Sequence, residues 1–512
     1  MGANMGLKRA GMILVCALFL ILTLPARAEE EALAAPELTY RCTVTFLGTK
    51  QERAFALTDG KINTSCRMKE KDELILEAPE DMGALILRFY QQGDDFLLIA
   101  EDEQGGRLQE RTLTAAAALP VFLGPGCRRV RIEAPAQGLR ICELMVFGLG
   151  RLPEDVPHPE PPLKKADFLL VSTHPDDEWV FLGGVYPIYG GERGYAGTVV
   201  YVTLPTWERA QECINGLWIG GVRTHPVFLG FPDVRQKAPK REKDTFHPEE
   251  VTRELVRLYR RIRPLVVVTQ DPENGEYGHW QHILVAAAAF DAVELAADPN
   301  YDPSSAAAYG VWTVQKMYQH FAQGISALEL DVDEPLSHYG GRTALEVAAE
   351  AFQAHRTQLK TPYRPGAADE AKGDIRHFGL TWSMVGPDTG NDLFEHIPAE
   401  ALAANQQSTP PPATAAPERT STPGPTAGPT DTPAPIAAAT AEAIETPAAP
   451  SPWDRAEDDA AWAAAHAEAL SAGAVLLLVL LTILRQVSRA RHTRRTGSEA
   501  APKQAPEKGN EP

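Results

Sequence analysis

The sequence predicts two folded domains of different class, an all-β sandwich followed by an α/β domain with a mainly parallel sheet, and then a single transmembrane helix. Three observations carry this prediction. Between residues 36 and 150, short alternating apolar runs are separated by glycine- and proline-bearing turns, the rhythm of an antiparallel sandwich. Beyond residue 166, apolar strands alternate with helical stretches, which implies a parallel sheet with helices on both faces. Near the C-terminus, Ala469 to Leu484 is an uncharged apolar run that Ala460 to Ala467 can extend toward the roughly 20 residues a bilayer requires.

A chain of 512 residues has room for two or three domains with sizeable cores. Its formal charge of −19 is unevenly placed. Residues 1–28 carry +3 and residues 485–512 carry +4, so the part between them stands at −26. That acidic body excludes nucleic acid as the main partner, because phosphate binding needs a basic face.

Taken in order, residues 1–28 join a basic start (Lys8, Arg9) to an apolar core and an Ala26-Arg27-Ala28 cleavage site, which reads as a signal peptide cut after Ala28. In 29–150 the apolar runs fall at Tyr40 to Phe46, Glu73 to Leu76, Ala84 to Phe89, Phe96 to Ile99, Val130 to Ile132 and Leu139 to Val146. LTDG followed much later by LRICELMVFGLG resembles a discoidin-type, galactose-binding-like jelly roll, which implies a candidate carbohydrate-binding module; a spacer without ligand is the alternative. Cys42, Cys66, Cys127 and Cys142 leave two readings open: two disulfides with three connectivities, or reduced cysteines packed as small apolar residues. Proline-rich 151–165 is a stiff linker. In 166–400 strands are expected at Phe168 to Val171, Thr198 to Leu204, Val227 to Phe231, Leu265 to Thr269 and Val311 to Met317. Helices are expected at Arg209 to Gly220, Glu249 to Ile262, Ile283 to Ala297 and Ala344 to Leu359. Residues 401–460, dominated by Pro, Thr and Ala, cannot bury enough apolar surface to fold and read as a disordered stalk. The span is placed at 461–484 and the basic tail at 485–512. Arginines directly after a span stay in the cytoplasm, so the bulk of the chain is expected to face outward from the cell membrane.

The chemistry is concentrated in His174-Pro175-Asp176-Asp177-Glu178, directly after the first strand of the α/β domain. Loops at the carboxyl ends of parallel strands are where such sheets place their ligands. Two adjacent carboxylates beside an imidazole are costly unless they share a cation, and a metal is the natural one. About a hundred residues on, Gly278-His279-Trp280-Gln281-His282 offers two histidines three apart at the start of an apolar helical run, hence on one face. Taken alone, the first motif would also suit an N-capping turn.

Together these motifs, with the strand TVVYVTL, the block RAQECINGLWIGGVRTHPVFLGFPD and the strand PLVVVTQ, resemble the PIG-L/LmbE-type zinc-dependent N-acetylglucosamine de-N-acetylases across roughly residues 165–400. The resemblance implies a Rossmann-like catalytic domain with zinc, or another divalent metal such as Fe2+, held by His174, Asp177 and His282. It implies Asp176 as general base and later acid, His279 as the group stabilising the oxyanion, and Arg209 and Asp233 as substrate contacts; a surface ion pair or cap is the alternative for the last two. Many family members carry an aspartate where this chain has Gln281, which puts the tuning of His279 in question. His225, His247, His320, His355 and His377 have no partner spacing and read as surface or packed imidazoles; for His355, together with Gln358, a place in the pocket is the alternative. The function expected is that of an outward-facing, membrane-anchored zinc hydrolase removing the N-acetyl group of an amino sugar in a glycan or glycoconjugate. The alternatives are an amidase acting on a non-sugar or pseudo-disaccharide amide, and a catalytically silent glycan-binding surface protein.

Overall fold

The computed structural model describes residues 34–48, 51–234, 246–366 and 373–406. The expected signal peptide, most of the stalk, the apolar segment 461–484 and the basic tail lie outside the described residues. Among the described residues, no helix is long and apolar enough to cross a membrane.

Nine strands build the N-terminal domain: β1 (Thr43–Leu47), β2 (Cys66–Met68), β3 (Glu73–Glu77), β4 (Met82–Phe89), β5 (Asp95–Glu101), β6 (Arg107–Thr114), β7 (Ala118–Phe122), β8 (Arg129–Glu133) and β9 (Leu139–Gly148). They form two sheets, β1-β3-β8-β5-β6 and β2-β9-β4-β7, in which every pairing is antiparallel. The period of two decides what each face does. In β8, Val130 and Ile132 are buried in the core between the sheets, while Arg131 on the other face reaches Glu73 at 3.0 Å. Cys42, Cys127, Cys142 and Cys213 are free thiols, and Cys66, Cys127, Cys142 and Cys213 are buried. Of the two readings, cysteine as a small apolar residue is therefore the one the structure carries.

Among the described residues the second domain has seven strands: β10 (Phe168–Ser172), β11 (Gly197–Thr203), β12 (Val227–Phe231), β13 (Val266–Thr269), β14 (Lys316–His320), β15 (Ala327–Glu329) and β16 (His377–Ser383). Their order is β12-β11-β10-β13-β14-β16-β15. The first five run parallel; β16 is antiparallel to both of its neighbours. The helices are α1 (Asp177–Val180), α2 (Trp207–Ile219), α3 (Pro248–Ile262), α4 (Gly275–Gly278), α5 (Trp280–Leu295), α6 (Pro303–Tyr309), α7 (Ala344–Phe352) and α8 (Ala399–Gln406). Strand β10 is buried on both faces, as a central parallel strand must be. Phe168 and Leu170 pack into the core that holds α1, α2 and α7, whereas Leu169 and Val171 pack into the core of α3 and α5.

Strand order reverses between β10 and β13: from β10 the chain moves outward to β11 and β12, then returns to β13 on the other side. At such a switch point the two following loops diverge to opposite faces and leave a crevice beyond the carboxyl ends of the strands. The segments leaving β10 and β13 are those that carry the two histidine motifs.

The sandwich packs directly against α2. Gln211 Nε2 donates to the carbonyls of Phe89 and Ala117 at 2.9 and 2.8 Å, Arg88 Nη2 donates to Asn215 Oδ1 at 2.6 Å, and Ala117 and Ala118 join the core beneath α2. At the far end, α8 runs to Gln406, past the expected start of the stalk. Asn405 Nδ2 ties it back to the carbonyl of Ala166 at 2.8 Å.

Candidate metal centre at the switch point

Ser172 ends β10, and its hydroxyl donates to the carbonyl of His174, turning the chain back at once. Gln270, just beyond β13, accepts the Thr173 backbone N–H at 2.9 Å and so locks the two loops together. The turn is completed by Asp177, whose Oδ2 accepts the backbone N–H of His174 at 2.7 Å. Asp176 sits between them at φ 125°, a region costly to any residue with a Cβ, on the order of 1–3 kcal/mol.

This folding gathers three donor atoms at one point. His174 Nδ1 lies 3.1 Å from Asp177 Oδ2 and 3.1 Å from His282 Nε2, and His282 Nε2 lies 3.3 Å from Asp177 Oδ2. A tetrahedral zinc with bonds of about 2.0–2.1 Å separates its ligands by about 3.3 Å, so the triangle has the dimensions of three zinc ligands. The far side of each ring agrees. His282 Nδ1 is 2.5 Å from Glu276 Oε2, and His174 Nε2 faces Gln281 Oε1 at 3.3 Å and Asp233 Oδ1 at 3.5 Å. Acceptors on the outer nitrogens hold the protons there and leave the inner lone pairs free for an ion.

Electrostatics point the same way. Asp176, Asp177, Asp233 and Glu276 bring four carboxylates, and Arg209 a single guanidinium. Burial pulls the His174 imidazole down, yet Asp177 and Asp233 overcome it and hold it at about 9. His282 is likewise carried against burial to about 10 by Asp177 and Glu276. Asp177 stays well below the usual carboxylate range despite its burial, because both imidazoles face it. The cluster thus favours positive charge at its centre.

His279, the N-cap of α5, behaves differently. Burial first, and then the two neighbouring imidazoles, push it down to about 3, so it is neutral near pH 7. Its ring packs edge-on to His174 at 4.8 Å between centroids, and its Nδ1 is buried with no hydrogen-bond partner among the described residues. One of its ring nitrogens also falls within 4.8 Å of one nitrogen each of His174 and His282. The carboxyl of Asp176 is pushed up by burial, pulled back by Arg209, pushed again by Asp177, and ends at about 6. Arg209 reaches it from the first turn of α2, with Nη2 2.5 Å from Asp176 Oδ1 and also donating to the Pro175 carbonyl. Arg209 is therefore aimed at Asp176, while Asp233 borders the cleft beside His174.

The cleft has a volume of about 150 Å³ and is lined by His174, Asp176, Asp177, Arg209, Asp233 and His279 together with Val180, Phe181, Tyr277, Gln358, Thr361 and Tyr363. Tyr277 and Tyr363 stack at 4.1 Å, forming an aromatic wall. Of the two pocket candidates after α7, Gln358 lines the cleft and His355 is buried behind it. Gln281 addresses His174 rather than His279: its Oε1 accepts from the Val234 N–H at 3.0 Å and its Nε2 donates to Pro232 O at 3.0 Å.

Glu276 was not singled out in the sequence, since nothing in its spacing marks it. It takes a positive φ of 60° and aims its carboxylate inward, at His282 and at His320 Nδ1 3.1 Å away. Its proximity to GHWQH was the only signal. His320, expected as a surface or packed imidazole, is packed.

A mainly parallel sheet with a carboxylate–histidine cluster at its switch point defines the class, an α/β domain with a candidate cation site beyond its strand ends. Residues 169–293 match the family model PIG-L, GlcNAc-PI de-N-acetylase. Among proteins similar to this chain, a 1D-myo-inositol 2-acetamido-2-deoxy-alpha-D-glucopyranoside deacetylase 1 of Catenulispora acidiphila is 32% identical over 205 residues, 33% of this chain and 62% of that protein. A deacetylase of the same name from Streptomyces scabiei is 26% identical over 322 residues, 50% of this chain and 98% of its own length. The N,N'-diacetylchitobiose deacetylase of Pyrococcus horikoshii aligns with 39% of this chain and 73% of its own at 19% identity and a TM-score of 0.31, too distant a likeness to bear on the chemistry.

Proposed function

We propose that the chain is a divalent-metal hydrolase that removes the acetyl group from an N-acetylated amino sugar. The observation that carries this reading is the triangle of His174 Nδ1, Asp177 Oδ2 and His282 Nε2, with edges of 3.1–3.3 Å. These residues would hold zinc, or Fe2+, with one carboxylate and two imidazoles, leaving a position open as in catalytic rather than structural sites. Bound there, the ion supplies Lewis acidity and lowers the pKa of water to about 7. Asp176, outside the triangle and near-neutral in its affinity for a proton, takes the proton of the attacking water and returns it to the departing amine. Asp177, committed to the ion, is unavailable for that exchange. Neutral His279 donates to the acetyl oxygen as charge develops on it. Arg209 holds the Asp176 carboxylate in place, and Asp233 borders the path of the sugar.

The substrate class follows from the named relatives, which act on an N-acetylglucosaminyl inositol, and a glycan or glycoconjugate amide is the corresponding proposal here. The leader in 1–28, the apolar segment 461–484 and the arginines after it support an anchored enzyme facing outward. The test is acetate release by the zinc-loaded full chain from N,N′-diacetylchitobiose and from the N-acetylglucosaminyl inositol, with Asp176→Asn as control. Stoichiometric zinc without acetate from either probe would favour a different amide or a silent binding protein.

A further inference from the structure

Asp176 holds a backbone conformation that side-chain-bearing residues rarely adopt, so something around it must impose that conformation. As the N-cap of α1 its N–H has no partner within the helix. Glu178 supplies one: its Oε2 accepts the Asp176 N–H at 2.7 Å. Glu178 is 1% exposed and does not line the cleft. Its other oxygen, Oε1, lies 2.9 Å from His355 Nε2 as an ion pair whose angle falls short of a hydrogen bond, and the two side chains are shut off from solvent together. A buried carboxylate beside a buried imidazole is expensive unless each answers the other, and an apolar pair would fill the space at lower cost. The polar pair therefore serves something that packing alone does not.

His355 lies just beyond α7, in a turn fixed from the opposite side. Glu212 of α2 accepts the Thr357 N–H at 2.8 Å and its hydroxyl at 2.6 Å. The helices approach closely here because α2 has Gly216, where an added Cβ would stand 3.1 Å from His355 Nε2. The same turn then sends Gln358, Thr361 and Tyr363 into the cleft.

We infer that Glu178 and His355 are positioning residues: Glu178 clamps the backbone of Asp176 so that its carboxylate faces the reacting centre, and His355 fastens that clamp to the segment forming the cleft wall. This rests on the reading of Asp176 as the base. It also explains why a glutamate follows the paired aspartates without being a ligand.

The test uses the zinc-loaded full chain, with N,N′-diacetylchitobiose and the N-acetylglucosaminyl inositol as probes and a crystal structure of Glu178→Leu as the second readout. Glu178→Leu and His355→Phe should each lower kcat at least tenfold with KM within twofold and one zinc per chain retained. Glu178→Gln, which keeps an acceptor oxygen for the Asp176 N–H, should recover most of kcat. In the Glu178→Leu crystal, Asp176 should leave its positive φ. A kcat within twofold of the parent in Glu178→Leu, or a loss that follows zinc content, overturns the clamp. Should the parent release acetate from neither probe while Asp176 still relaxes in the Glu178→Leu crystal, the clamp stands and the proposed reaction falls.

Discussion

Replacing Glu276 separates support of the proposed ion from its ligands, because this carboxylate touches His282, a proposed ligand, on the ring nitrogen that faces away from the donor triangle. Its Oε2 is 2.5 Å from His282 Nδ1 with both side chains fully buried, and its Oε1 also accepts the Asp271 N–H at 2.8 Å. Carboxylates that orient a ligating histidine are worth about 10- to 100-fold in metal affinity, or roughly 1.4–2.7 kcal/mol. Glu276→Gln keeps an acceptor for the imidazole N–H but removes the charge, so a loss near tenfold is expected. Glu276→Leu removes both and should approach a hundredfold. It also leaves the buried Asp271 N–H unanswered, which costs a further ~1–3 kcal/mol of stability. Competition with a chelator of known zinc affinity gives the first quantity and thermal unfolding in excess chelator the second. If zinc affinity in Glu276→Gln and Glu276→Leu stays within twofold of the parent, His282 does not present its Nε2 to an ion.

Other outcomes follow from the same arrangement. Asp176 acts as its carboxylate, so kcat/KM should be present above and lost below the pH at which it takes up a proton; that limb should lie at or below about 6, since a bound cation favours the ionised form. Asp176→Asn should retain zinc and lose roughly 10²- to 10⁴-fold in kcat. Arg209→Met removes the charge that holds Asp176 down, so the acid limb should move upward by roughly one to three pH units, read from the full pH profile. His279→Ala should cost roughly 10²- to 10³-fold in kcat with zinc content unchanged. Gln211→Leu removes the side-chain donor to the Phe89 and Ala117 carbonyls, the second of which keeps the Phe89 N–H at 3.2 Å, and should destabilise the chain by about 1–3 kcal/mol in denaturant unfolding, with little change in zinc affinity.

Much of this architecture was legible in the sequence where burial repeats. Phe168 to Val171 and Leu265 to Thr269 are apolar on both faces, and both became central strands within a residue of the expected bounds. Strand β6 escaped because RLQERTLT lies at a sheet edge and is charged along most of its length. The strand expected at Val311 to Met317 lies later, at Lys316–His320, because buried Lys316 and His320 hide it; the lysine is neutralised by Asp388 at 2.6 Å. The helix expected to reach Leu359 stops at Phe352, where Glu212 captures the Thr357 N–H across 145 residues of chain, a partner no local pattern reveals. The two histidine motifs were readable as a pair. That Gln281 faces His174, and that Glu276 faces His282, depends on χ angles and a left-handed turn that spacing does not encode.

The most direct measurement is anomalous diffraction at the zinc edge from crystals of the zinc-loaded chain. One peak is expected, about 2.0–2.1 Å from each of His174 Nδ1, Asp177 Oδ2 and His282 Nε2. A peak instead among Glu178, Cys213 and His355, whose donor atoms also lie within 4.8 Å of one another, would contradict it, as would an ion that Asp177 does not touch.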